Sequence, residues 1–356
     1  MKRFISYGSI GQFRNTIRDV ANKVKFVGMD EEAGTPIYDM NKKKPKVVAH
    51  GTEKIHGTNA SVCYSNEDGF WVQSRKNIIH PEKDNAGCAF MAYQKEESWM
   101  NLIKCLSHQH KIDLDKHIIS LYFEWCGGNI QKNSAVSSLE KRAIIFKHFK
   151  VSPIDADSEE NAFWLETGGV CVEDDLIFNI AHFPTVEVLI DFENPQMSQN
   201  KMIELVDELE PNSKVGQQFG VDGNVGEGYV FTFEFEGDLF KFKVKGEKHA
   251  GKSKVKTLKP VDEELENKKI EFANNIACTQ TRLEQAWQNT FGIENEKMSP
   301  TIKEMGTFLR FIHNDVIKEE SDILVEMGLE PKSVNGKISS VAKVWFQDKL
   351  DEEAMK

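Results

Sequence analysis

No stretch of the 356-residue sequence reaches the ~18 uninterrupted apolar residues of a membrane-spanning helix. The first residues, Met1-Lys2-Arg3-Phe4-Ile5, give way quickly to polar ones, so the apolar core of a secretion signal is missing. Cysteine is sparse. The six residues Cys63, Cys88, Cys105, Cys126, Cys171 and Cys278 never form a C-x-x-C pair, which argues against a disulfide framework or a zinc site. The expectation is a cytoplasmic protein with reduced thiols. Internal repeats and low-complexity tracts are lacking as well. Net positive charge is also absent: the formal charge is −11, which by itself speaks against phosphate-backbone binding. The deficit is uneven, however. Leu239 to Lys259 holds eight lysines against one acid, Glu247, whereas twelve Lys/Arg and nineteen Asp/Glu follow Val261. A basic strip on an acidic body can hold a polyanion, and it can equally be a solvated strand edge.

What is present is a β-rich region of about 260 residues followed by a helical one. Strand-like runs are Ala60–Tyr64, Phe70–Gln73, Ile118–Trp125, Ala143–Phe149, Gly228–Phe235 and Leu239–Val244. Glu236-Gly237-Asp238 between the last two reads as a hairpin turn. Met91–Ser107 and Gln199–Leu209 show helical spacing, and Asp155–Asn161 is a polar loop. After Pro260 the helical stretches are Leu265–Ala277, Arg282–Phe291, Thr301–Lys318 and Ile338–Leu350, punctuated by Gly292, Pro300, Gly328, Pro331 and Gly336. A domain boundary is expected near Lys256–Asp262.

The residues that carry chemistry begin at Glu53-Lys54-Ile55-His56-Gly57-Thr58-Asn59, ahead of a candidate strand. A nucleophilic lysine must be partly neutral, which nearby cations or desolvation achieve. Glycine lets backbone approach a ligand, and His, Thr and Asn bond phosphate or sugar oxygens. Taken alone, such a K-x-H-G is more often a surface turn. Downstream, Glu227-Gly228-Tyr229-Val230 offers a carboxylate for a metal. Lys241, Lys243 and Lys245 share one face of a strand, an arrangement suited to a triphosphate. Glu124 lies among aromatics in Tyr122-Phe123-Glu124-Trp125, and Phe146 offers a ring for a base to stack on.

These residues resemble, in order, the motifs of the covalent nucleotidyltransferases, and within them the phage-type RNA ligase 2 family that includes the trypanosome RNA-editing ligases. Lys54-Ile55-His56-Gly57-Thr58-Asn59 matches the nucleotidyl-lysine motif in full. His56 stands where DNA ligases and capping enzymes usually have aspartate. Arg75, Phe123-Glu124-Trp125, Phe146, Glu227-Gly228-Tyr229-Val230 and Lys243-Val244-Lys245 fit the later motifs, over roughly residues 50–250. Lys147 follows the aromatic where the family commonly has an acid, and Phe26–Lys46 is extra sequence ahead of the lysine.

The resemblance implies an α+β fold: a nucleotidyltransferase domain over 1–257, with ATP-grasp-like antiparallel sheets and flanking helices, and a small all-helical C-terminal domain over 258–356. It implies AMP held covalently on Lys54, with ATP contacts from Glu53, Ile55, Asn59, Arg75, Glu124, Phe146, Lys243 and Lys245. Glu227 would place Mg2+ or Mn2+. His56, Arg75, Glu227, Lys243 and Lys245 would share the catalysis. Arg282, in Thr279-Gln280-Thr281-Arg282, and Asp315 resemble helical residues that engage nucleic acid. The expected partner is RNA with 3′-hydroxyl and 5′-phosphate ends, in a duplex or hybrid. A monomer in the cytoplasm, of the host if phage-encoded, is implied. A DNA ligase, a capping-type nucleotidyltransferase and a non-catalytic nucleic-acid-binding relative are the alternatives.

Overall fold

The computed structural model describes residues 2–29, 36–39, 41–84, 86–155, 161–221, 225–246, 263–292 and 300–354. The chain forms two compact units, Met1–Leu258 and Lys259–Lys356. Most of the lysine strip beyond Gly246, the boundary stretch Lys256–Asp262 and residues 156–160 of the polar loop lie outside the described residues.

The first unit is built on two sheets. In chain order the strands are β1 (Gly11–Gln12), β2 (Phe26–Met29), β3 (Pro36–Tyr38), β4 (Lys46–Glu53), β5 (Thr58–Ser65), β6 (Gly69–Ser74), β7 (Ile78–Ile79), β8 (His117–Cys126), β9 (Arg142–Ile145), β10 (His148–Pro153), β11 (Phe163–Glu166), β12 (Ile177–Asn179), β13 (Thr185–Asp191), β14 (Gly228–Phe235) and β15 (Asp238–Lys245). The five-stranded sheet runs β1-β15-β14-β4-β13. The larger sheet runs β11-β10-β8-β5-β6-β7, with β9 and β12 added beside β8. Pairing is antiparallel except for β1 with β15 and β12 with β9. The Phe26–Lys46 segment contributes a small two-stranded hairpin, β2 with β3.

Strand sequences explain their places. β8 is almost wholly buried and reads as a continuous apolar run, because it lies between β10 and β5. β4 alternates exposed and buried residues, as a strand with one covered face does. The turn between β14 and β15 has Glu236 and Gly237 both at positive φ, which matches the right-handed twist of a two-residue hairpin.

Helix α1 (Phe13–Lys25) and, further along, α4 (Pro195–Leu209) cover the five-stranded sheet: Phe13, Val20, Met202 and Val206 share a core with Ile190, Phe231 and Phe242. Helices α2 (Cys88–Gln94) and α3 (Glu96–His110) cover the larger one. In α3, Trp99, Leu102, Ile103 and Leu106 are spaced to make one apolar stripe, and Trp99 stacks on Phe123 at 4.9 Å. The expected single helix Met91–Ser107 is thus two, divided at Lys95.

Every element described in the second unit is helical: Glu263–Glu271 continuing as a π-turn over Phe272–Ala277, then Gln280–Phe291, Ile302–Glu304, Met305–Glu319, Ser321–Glu326 and Pro331–Ala354. Its core joins Phe272, Leu283, Phe308, Ile312, Ile338 and Phe346. Gly328, at φ 69°, ends a helix as its position suggests. Gly336 does not. The last helix runs through it, since the apolar face made by Val334, Ile338, Ala342 and Phe346 holds the turn on either side.

Candidate functional site

Lys54 lies in the connection between β4 of one sheet and β5 of the other. Its backbone N–H donates to Gly228 O at 2.8 Å, tying the turn to the start of β14. Gly57 passes so close to β8 that a Cβ there would lie 2.4 Å from Trp125 O. Only glycine lets the turn fold back onto the sheet. Gly228 has φ 141°, and a Cβ would sit 2.1 Å from Val244 O. That close crossing brings Glu227 beside Lys245, its diagonal neighbour across the β14–β15 ladder.

The result is a cluster around one carboxylate. Glu227 Oε2 accepts from Lys54 Nζ at 2.8 Å and faces His56 Nδ1 at 3.0 Å; Oε1 pairs with Lys245 Nζ at 2.6 Å. The Glu227 side chain is 1% exposed, so this pairing is weakly screened. Burial alone would raise its pKa, but the His56 hydrogen bond and the Lys54 and Lys245 cations hold the carboxyl well below the usual carboxylate range. Lys243 is pushed below the usual lysine range by burial and by the charges of Lys245, Lys54 and Arg75.

This cluster opens on a cavity of about 870 Å³ between the two sheets, within the size range of small-molecule sites. The five-stranded sheet and its connections supply Lys54, Glu227, Lys243 and Lys245. The larger sheet supplies Asn59, Arg75, Glu124 and Phe146. Glu124 Oε1 accepts from Gly57 N–H at 3.0 Å. Burial raises the Glu124 pKa to about 7, against the opposing Lys54 charge. Phe146 stands at the break between β9 and β10, where the expected single strand Ala143–Phe149 divides.

A family model described as RNA ligase matches residues 48–245, more than half of the chain. The chain belongs to the RNA ligase family. No curated protein matches the sequence significantly. Among solved structures, the Naegleria gruberi RNA ligase with pyrophosphate is 14% identical, covering 71% of this chain and 59% of that one at a TM-score of 0.40. A mutant of the same ligase with ATP and manganese gives the same values, and one with AMP and manganese covers 60% of the relative. The match thus spans about three fifths of the length of these relatives.

In this RNA ligase family member the fold brings nearly all the expected residues to one cavity, yet several side chains do something other than expected. Glu53 borders the cavity, but its carboxylate is used elsewhere. It accepts from Ser213 Oγ and from Val215 N–H at 2.9 Å, fastening the start of the short helix α5 (Lys214–Gln218). Ile55 points its side chain into an apolar cluster with Cys126, Ile144, Ile180 and Val215, so it anchors the turn. Glu227 is less free for a metal than its sequence position suggests, because its two oxygens already face three nitrogen groups.

Arg282, expected to engage nucleic acid, is buried in the second unit rather than on its surface. Nε donates to Asp315 at 2.6 Å, Nη1 donates to Ile276 O at 2.7 Å, and Nη2 donates to Glu320 at 2.5 Å. Asp315 is its structural partner.

Sequence reasoning missed the N-terminal segment. Phe4, Ser6, Tyr7, Gly8, Ser9 and Ile10 border the cavity. Gln73 fixes the segment by accepting from Ile5 N–H at 2.9 Å and donating to Ile5 O at 3.0 Å. Tyr7 lies 5.2 Å from Phe146. Tyr122 and Lys150 also donate to the carbonyls of Ile5 and Ser6, and no periodicity marks a stretch held by side chains rather than by a strand ladder. Lys241 was expected beside Lys243 and Lys245, but its amine sits 3.0 Å from the Trp164 ring centre and 4.4 Å from that of Tyr7. Burial lowers its pKa to about 6, with Lys150 adding to the effect.

Proposed function

We propose that the chain is an ATP-dependent RNA ligase that joins 3′-hydroxyl and 5′-phosphate ends through AMP carried covalently on Lys54. The observation that carries this reading is the meeting of Lys54, His56, Glu227 and Lys245 in one cavity also bordered by Lys243 and Arg75. So many cations around one opening suit a triphosphate. Glu227, already bonded on both oxygens, suits a divalent ion that arrives with the triphosphate and keeps part of its water shell. When bound, Mg2+ or Mn2+ supplies neutralisation of phosphoryl oxygens.

Attack on the α-phosphorus needs the lone pair of Lys54 Nζ. The ammonium proton leaves to solvent, and the hydrogen bond to Glu227 is given up as the N–P bond forms. The P–O bond to pyrophosphate breaks at the same centre. Lys243 and Lys245 stand where charge develops on the phosphoryl oxygens, and fixed charges in a partly buried cavity cost little reorganisation at that moment. Phe146 takes the adenine face, Glu124 the ribose hydroxyls, and Arg75 and His56 the phosphates. AMP then passes to a 5′-phosphate, which frees the Lys54 amine. A 3′-hydroxyl attacks that activated phosphate, forming the new diester and expelling AMP.

The residues 1–257 act as the nucleotidyltransferase domain in this reading. The helical residues 258–356 engage the RNA, through surfaces other than Arg282. Nicks in duplex RNA or RNA/DNA hybrid are the proposed substrate, by the residue-level resemblance to the RNA ligase 2 group, and the enzyme works as a monomer. The test is mass spectrometry after incubation with ATP and magnesium, preceded by pyrophosphate to strip preloaded AMP. Wild type gains one AMP (roughly 329 Da) and Lys54→Ala gains nothing. Labelling of Lys54→Ala, or labelling of wild type by GTP in preference to ATP, overturns the assignment. A nick panel varying RNA and DNA on the 3′-hydroxyl side then separates an RNA ligase from a DNA ligase.

A further inference from the structure

The connection from β11 to β13 carries a group of donors that the nucleotide cavity does not use. Cys171, Glu173 and His182 each bring one ligand atom, and these atoms lie within 4.8 Å of one another. We propose that Cys171, Glu173 and His182 form a three-ligand site for a zinc-class divalent metal, with water completing a tetrahedron. This modifies the expectation, drawn from the missing C-x-x-C pair, that the chain holds no zinc site.

The chemistry of the donor set selects the ion. A thiolate, an imidazole and a carboxylate together suit borderline-soft zinc, whereas magnesium and calcium take oxygen. Zinc bonds of about 2.0–2.3 Å in a tetrahedron put donors about 3.3–3.8 Å apart. The observed spacing therefore needs only a side-chain adjustment of about an ångström. Among the described residues none of the three side chains makes a hydrogen bond or ion pair within the chain.

The backbone that presents them is well tied down. Val172 N–H donates to Ile177 O at 2.8 Å, and Ile177 N–H donates back at 3.1 Å. Asn179 donates to Val170 O at 3.0 Å and accepts from Ala181 N–H at 2.9 Å, which brings the Cys171 segment beside the His182 turn. A Cβ at Gly169 would lie 2.9 Å from His182 Nε2, so a side chain there would displace the imidazole. The turn Ile180–His182 also carries Ile180, which borders the nucleotide cavity. A metal at this site would clamp that wall, a structural role independent of the lysine chemistry.

The experiment is titration of the full-length, chelator-treated protein with Co2+, followed by zinc competition, in excess magnesium and without nucleotide. Wild type should take up one equivalent with a thiolate-to-cobalt charge-transfer band and tetrahedral visible bands, and zinc should displace it. Cys171→Ser and His182→Ala should lose the band and weaken binding by more than the roughly 10–100-fold of an outer-shell change. Glu173→Gln should weaken it while leaving the thiolate band. Cys105, the exposed cysteine elsewhere, provides the control: Cys105→Ser should bind as wild type does. Absence of stoichiometric binding, or a band that survives Cys171→Ser, overturns the site. All three ligand residues are exposed or half-exposed, so the variants should fold, which circular dichroism checks.

Discussion

Glu227 and Arg282 each sit at the centre of a cluster of opposite charge, one in each unit of the chain. Around Glu227 the partners are Lys54, His56 and Lys245, side chains at the edge of a cavity. Around Arg282 they are Asp315, Glu320 and two backbone carbonyls, all within the helical unit. Both central groups are almost inaccessible, at 1% and 11% exposure of the side chain. The surroundings separate them. The cations around Glu227 retain a solvent-facing side on which an anion can compete for them. The guanidinium donates to two backbone carbonyls, which cannot turn away, as well as to two partly exposed carboxylates that raise its pKa despite burial. A buried charge cluster marks function where its partners have somewhere else to turn, and fixes structure where they do not.

Substitutions can break this contrast. The largest effect on stability is expected at Arg282. Arg282→Ala leaves two carboxylates and two carbonyls facing each other, and should cost about 3 kcal/mol of the second unit's unfolding free energy in urea. Labelling of Lys54 by ATP should persist. Loss of labelling with unchanged stability would give Arg282 the functional place and undo the comparison. Next is Glu227→Gln, which should lower self-adenylylation on the order of 10²–10³-fold, about 3–4 kcal/mol of activation free energy. Its thermal midpoint should fall as well, because a carboxylate held below its ordinary pKa by Lys54, Lys245 and His56 contributes stability that a neutral amide gives up.

A smaller effect concerns Glu124, whose carboxyl titrates near 7 in the folded chain against 4.5 when free. Between those values the folded state holds more protons than the unfolded, so stability falls as pH rises and the penalty is complete above about 7. Glu124→Gln removes it. The variant should match wild type near pH 4 and exceed it at pH 8 by on the order of 2 kcal/mol, read by denaturant melts at each pH. A pH-independent difference would mean that Glu124 is fully ionised in the fold.

The smallest effect is expected at Lys241, whose amine titrates near 6 and has no hydrogen-bond partner among the described residues. At pH 7 the unfolded chain binds a proton there that the folded one does not, so stability rises with pH between about 6 and 10.5. Lys241→Met should stabilise the first unit at pH 7 by on the order of 1 kcal/mol, with the gain shrinking toward pH 10. Destabilisation instead would mean that the amine is charged and held by the Trp164 and Tyr7 rings.

The motif residues were legible because strand alternation and the order of short motifs are local properties. Lys54, Glu227, Lys243 and Lys245 could be chosen without knowing which strands pair. The hairpin of β14 with β15 was readable for the same reason, since its turn and both strands are contiguous. Strands β4 and β13 escaped notice although Val47, Val48, Val186, Val188 and Ile190 are good strand formers, because His50, Gly51 and Thr52 and the charged ends interrupt short runs. They pair with each other across about 130 residues.

By itself, the sequence nominated Lys54, Glu227, Lys243 and Lys245 as candidates for nucleotidyl chemistry and separated a β-rich region from a helical one. Tertiary structure alone decided what each charge faces. It turned the Glu53 carboxylate onto Ser213 and Val215, sealed Arg282 among acids, and put Lys241 behind aromatic rings. It also laid the N-terminal segment along the cavity and brought Cys171 to His182. The physical reason is that a charged side chain's energy depends on desolvation and on partners distant in the chain. Neither is encoded in the few residues on either side of it.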